Sequence, residues 1–110
     1  MLELVLVFDN DNQINKRLAQ VLVEQGVQEV TQVASTRDVI MAVDERRHDL
    51  VIIPFQHGLR LVRPLRALQT DCQIILTTFN PDEPLPTDGV NLFQGVLFIP
   101  NLEVALPELL

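Results

Sequence analysis

Five apolar runs punctuate the chain: LELVLVF (2–8), EVTQVA (29–34), LVIIPF (50–55), QIILTTF (73–79) and GVLFI (95–99). Several are continuous rather than alternating, as expected of parallel strands that bury both faces beneath helices. Between the first two lies DNQINKRLAQVLVEQG, where Ile14, Leu18, Val21 and Leu22 share one helical stripe. Asp11 or Asn12 can cap the start of that helix, and Gly26 ends it. STRDVIMAVDERRH predicts a second helix, with Ser35 and Asp38 at capping-box-like spacing and Val39, Ile40 and Val43 facing inward. A third helix is predicted within GLRLVRPLRALQ. Pro64 suits only a first turn, so this helix is expected to start late or bend.

Strand and helix thus alternate through the first four strands, which predicts an α/β domain with an open parallel sheet wound on both faces. In such sheets the functional crevice lies beyond the carboxyl ends of the strands. The regularity fails after Phe79. NPDEPLPTDGVN holds Pro81, Pro84 and Pro86, then Gly89, and each proline inside a helix costs about 3 kcal/mol. An irregular loop with little helix is expected there. In the tail, Asn101 can cap a last helix that Pro107 is expected to limit to about one and a half turns.

Composition narrows the class. At 47% apolar and 21% charged residues this is a folded globular chain, and residues 1–110 are read as one domain. A single cysteine, Cys72, excludes an internal disulfide and a Cys-based zinc cluster, and its place beside a strand reads as packing. The first apolar run is broken by Glu3 and ended by Asp9, too short for a signal peptide or a membrane span, so a cytoplasmic protein is expected. A formal charge of −7, with no Trp or Tyr, argues against nucleic acid as a partner. The charge is uneven: residues 1–66 hold all eight basic residues against nine acidic ones, and residues 67–110 hold six acidic residues alone. That is either a solvated acidic surface or an acidic docking face for a basic partner. His48, in the polar ERRHD turn, is expected at the surface, and His57, in the loop nearest the crevice, is expected to be exposed.

The chemistry gathers where LVLVF opens into Asp9-Asn10-Asp11. Acids at such a tip can hold a divalent cation, although two carboxylates with an exposed mouth would hold magnesium only weakly, and Asp11 serves better as a helix cap. The order VFDND, HDLVIIP, LRALQTDCQIILTT and GVLFIP resembles, across nearly the whole chain, the receiver domain of two-component response regulators. The resemblance implies a CheY-like, flavodoxin-like three-layer sandwich with strand order 2-1-3-4-5, here with an irregular fourth helix and a truncated fifth. In that family the first strand ends in a magnesium-binding acidic pair and the third in the phosphoacceptor aspartate. The fourth ends in Ser or Thr, and the fifth in Lys-Pro. Carried onto this chain, Asp9 matches the first acid and Asn10 stands at the second. Pro54 falls at the acceptor, Thr77 at the hydroxyl and Ile99 at the lysine, and Pro100 matches the final proline. The turn after the acceptor is shortened to FQH before Gly58.

Phosphoryl transfer needs an oxygen nucleophile, a cation and a fixed positive group. Pro54 lacks the first and Ile99 the last, so the resemblance implies a pseudo-receiver: no enzyme, no resident cofactor, and a protein partner in a signalling pathway. A small ligand in the vacated crevice is the runner-up. Asp-x-Asp and IILTT also fit haloacid dehalogenase-like phosphatases, but no lysine follows Lys16 and the fifth run ends without a carboxylate. A flavodoxin-type nucleotide site would need a Gly/Ser/Thr-rich loop in place of DNDN. The expected interaction face comprises Asp82, Glu83 and Asp88 with Leu102 and Leu106. The tail residues Leu102, Val104, Leu106, Leu109 and Leu110 pack back, dock on a second copy, or begin a longer protein. Arg60, Arg63 and Arg66 form a basic stripe that could meet the acidic third of a neighbour in a homodimer.

Overall fold

A computed structural model describes residues 2–68, 71–80, 82 and 95–110. The strands are β1 (Leu4–Phe8), β2 (Glu29–Val33), β3 (Leu50–Pro54), β4 (Gln73–Thr78) and β5 (Gly95–Phe98). The helices are α1 (Asn12–Glu24), α2 (Thr36–Glu45), α3 (Phe55–Leu68) and α4 (Leu102–Leu109), the last reached through a 3₁₀ turn, Ile99–Asn101. All strand pairs are parallel, in the order β2-β1-β3-β4-β5. This is the open parallel sheet the pattern predicts, in the strand order the receiver resemblance implies. β1 and β3 are buried at every position, which is why their sequences are unbroken apolar runs.

The side chains of each strand divide between two cores. Val5, Val7, Leu50, Ile52, Ile75 and Leu97 meet Leu18 and Leu22 of α1 and Leu102 and Leu106 of α4. On the other face Leu6, Phe8, Val51, Ile53, Ile74 and Leu76 meet Val39 and Val43 of α2 and Leu61, Val62 and Leu65 of α3. Local signals set the helix ends. Asp11 Oδ1 accepts from the amides of Gln13 (2.8 Å) and Ile14 (3.4 Å), so this acid caps α1. Ser35 Oγ accepts from the Asp38 amide at 3.1 Å and caps α2. After α1, Gly26 takes φ +89°; its amide donates to Val23 O and that of Val27 to Leu22 O, a Schellman ending that needs a residue tolerant of positive φ.

Four expectations are corrected. The FQH segment is no loop: α3 begins at Phe55, directly after β3, and runs through Pro64. Pro64 and Arg60 are both solvent-facing, so the Arg60 carbonyl that loses its helical donor can be hydrated. α4 likewise continues past Pro107 to Leu109, just over two turns. Leu102 and Leu106 form no outward face; both are fully buried, completing the core that α1 begins. Arg17 ties the two helices across the surface, donating from Nε to Glu103 Oε1 (2.8 Å) and from Nη2 to Oε2 (2.9 Å). His48 is buried, not superficial: its Nδ1 lies 3.0 Å from the Arg46 carbonyl, and burial pushes its pKa below the ordinary histidine value. The expected irregular loop, with Glu83 and Asp88, lies outside the described residues, whereas Asp82 is exposed. Among the described residues, no helix is long and apolar enough to cross a membrane.

Candidate functional site

At the carboxyl ends of β1, β3, β4 and β5 a cleft of about 310 Å³ is lined by Asp9, Pro54, Phe55, Gln56, Thr77, Thr78, Phe79, Asn80 and Ile99. Strand register explains the grouping. Pro54 is paired with Thr77, and Thr77 with Leu97. Continuing the β1–β3 register, in which Val7 faces Ile52, two residues further brings Asp9 beside Pro54. Paired positions in a sheet point to the same side. Asp9, Pro54, Thr77 and Ile99 therefore project toward the α1/α4 face, at the point where the flanking elements leave the sheet tips uncovered.

Four of the six positions singled out by the resemblance thus meet in one cleft. Asn10 and Pro100 are exposed and do not line it. Asn10 instead places Nδ2 at 3.4 Å from His57 Nε2, and the His57 ring lies 5.6 Å from that of Phe8. His57 is accordingly half-buried beside the cleft, not free in solvent as expected.

The electrostatics are those of a buried, under-solvated acid. Asp9 Oδ1 accepts from the Asp11 amide at 2.8 Å. Burial raises the Asp9 carboxyl above its ordinary pKa; the Asp11 amide bond and the nearby His57 work against that rise, and the charge of Asp11 adds to it. Thr77 Oγ1 is buried and has no hydrogen-bond partner among the described residues. Thr78 Oγ1 accepts from the Asn80 amide at 3.0 Å.

Asn15 escaped the sequence reading. It is buried on the apolar stripe of α1, where its Nδ2 donates to the Asp9 carbonyl (2.9 Å) and the Val33 carbonyl (3.2 Å). It thereby fastens the β1 tip to α1 and to the end of β2. The available signal was an amide three residues before Leu18 and seven before Leu22 on an otherwise apolar stripe.

A hard divalent cation wants about six oxygen ligands, carboxylates among them. Asp9 is the one carboxylate among the described lining residues, and Asp11 is engaged in capping α1. No group of three or more His, Cys, Asp or Glu among the described residues is placed to share a metal. The residues present do not fit a magnesium site. Among the described residues no base accepts from the Thr77 hydroxyl. The described lining of the cleft thus offers one acid, one hydroxyl, and walls of Pro54, Phe55, Phe79 and Ile99.

A family model described as the response regulator receiver domain matches residues 5–93. The chain belongs to that family. Similar solved structures share its fold. A CheY-like receiver domain from Methylobacillus flagellatus is 24% identical, with TM-score 0.79 and all of both chains covered. A two-component response regulator from Clostridium difficile is 20% identical, with TM-score 0.82 over 96% of this chain and 91% of that one. The response regulator TrrA of Thermotoga maritima, solved in complex with the histidine kinase ThkA, is 20% identical, with TM-score 0.77 and 99% of each chain covered. No curated protein gives a significant match. Receiver domains are signalling modules of two-component systems, and this receiver carries Pro54 at the tip of β3 and Ile99 just after β5.

Proposed function

We propose that this receiver is a pseudo-receiver: it takes no phosphoryl group on aspartate, catalyses nothing, and acts in the cytoplasm by engaging a protein partner of a signalling pathway. One observation carries the reading. The side chain at the carboxyl end of β3, central in the cleft, is the ring of Pro54, which offers no oxygen to attack phosphorus. Two others support it: Ile99 brings no positive charge, and Asp9 lacks companions for magnesium. The receiver-family match removes the motive for the dehalogenase-like alternative.

The partner face is assigned to the acidic stretch around Asp82, Glu83 and Asp88, with Val104, Leu109 and Leu110 of the exposed tail in place of Leu102 and Leu106. Homodimerisation through the exposed Arg60 and Arg63 of α3 against the acidic third of a second copy belongs to the same proposal. Arg66 is withdrawn from that stripe, because its guanidinium donates to the Cys72 carbonyl.

Incubation with acetyl phosphate and magnesium, followed by intact mass spectrometry, tests the core of the reading. The mass is expected to stay unchanged; an acid-labile phosphoryl adduct would overturn it. Recovery of a partner from native lysate, abolished by charge reversal at Asp82, Glu83 and Asp88, tests the face. Sedimentation that shows only monomer at every concentration would remove the dimer.

A further inference from the structure

We propose that the cleft is a binding site for a small organic ammonium ion, a primary amine carried on an apolar group, with Asp9 and Thr77 as its two acceptors. The inference rests on the pseudo-receiver reading, since it needs a cleft that no phosphoryl group occupies.

Two independent observations support it. Asp9 is an acid only 8% exposed, and no Lys or Arg is among the lining residues to neutralise it. A carboxylate in that position calls for a cation from outside. Thr77, 1% exposed, lines the same cleft with a hydroxyl oxygen that has no partner among the described residues. Such a buried polar atom is costly unless something completes it.

The spacing suits one ligand touching both. Asp9 and Thr77 stand on either side of Pro54, two strand positions apart, or about 10 Å between backbones. Their side chains project to the same side of the sheet, into the cleft that both residues line. The ammonium group has three donors, enough to serve the carboxylate and the hydroxyl together. Pro54, Phe55, Phe79 and Ile99 leave an apolar wall for the remainder of the molecule, and a cleft of about 310 Å³ matches a small one. A metal ion would leave those walls unused and lack ligands; an anion would meet Asp9. The exposed ring of Phe79, 64% accessible at the rim, can cover an amine once seated.

The test is an amide NMR titration of the full chain with benzylammonium, set against benzyl alcohol and benzoate as neutral and anionic analogues. Benzylammonium is expected to give saturable shifts centred on Asp9, Thr77 and Thr78, with both analogues at least about tenfold weaker. Asp9→Asn and Thr77→Val should each weaken binding by about tenfold or more, while Thr77→Ser, which keeps the hydroxyl, should retain it. No saturation up to about 10 mM, equal binding of the analogues, or binding indifferent to Asp9→Asn would each overturn the inference. A parallel titration with beryllofluoride and magnesium separates the two readings. Shifts there would defeat the pseudo-receiver assignment itself. Silence there, with no benzylammonium binding, would defeat only the ammonium site.

Discussion

Two aspartates at opposite ends of the sheet show how differently one fold treats the same side chain. At the amino end, Asp49 Oδ2 accepts from the amides of Glu3 (2.8 Å) and Leu4 (3.1 Å), stitching the start of β1 to β3. Those bonds hold its carboxyl below the ordinary range. At the carboxyl end, Asp9 has, among the described residues, a single amide partner from its own turn, and burial raises its pKa. On the same cleft end sit the Thr77 hydroxyl and the Asn15 Oδ1, both without a partner among the described residues. One end is satisfied and serves stability; the other keeps polar groups in want of partners. Unsatisfied groups of this kind collect where a fold binds something.

The contrast can be broken from either side. Leu106→Ala should have the largest effect, a loss of about 3 kcal/mol in urea unfolding, because α4 closes the core beneath the cleft. A negligible loss would mean that α4 does not belong to that core. Next, Asp49→Ala should cost about 1 to 2 kcal/mol by stripping two β1 amides of their acceptor. At the other end the sign should reverse: Thr77→Val, close in shape and free of the orphaned hydroxyl, should stabilise by about 1 kcal/mol. A stabilising change at a buried cleft position is what a binding site predicts and a structural threonine does not.

The smallest effect is in the pH dependence. Asp49 has a folded pKa below its unfolded one, so its stabilisation is present above pH roughly 4 and fades as pH falls through the lower folded value. Asp9, raised, behaves oppositely: its contribution is intact below pH roughly 4 and is lost as pH rises through the higher folded value. Unfolding at several pH values should therefore show Asp49→Asn hurting most near neutrality and Asp9→Asn helping most there. Parallel pH profiles for the two variants would erase the distinction between the ends.

Much of this was legible in the sequence. The five runs marked from residues alone end within a residue or two of the observed strands, because strands covered on both faces must be apolar throughout. The meeting of Asp9, Pro54, Thr77 and Ile99 was implied by the resemblance to receiver domains, and the register of the parallel strands accounts for it. Prolines misled the helix ends: Pro64 and Pro107 sit inside helices whose tertiary packing outweighs the lost bond. Burial of His48 was hidden because its neighbours Arg46 and Arg47 are exposed and its Nδ1 is held by a backbone carbonyl. Asn15 and the inward turn of Leu102 and Leu106 depend on contacts between segments more than eighty residues apart or on strand ends that spacing alone does not bring together.

The pseudo-receiver assignment is tested by whether beryllofluoride with magnesium alters the amide spectrum of the full chain. It predicts resonances of Thr77, Thr78 and Ile99 that stay in place at saturating reagent. Progressive, saturable movement of those signals would contradict it, for it would mean that the cleft still accepts a phosphoryl mimic despite the proline at its centre.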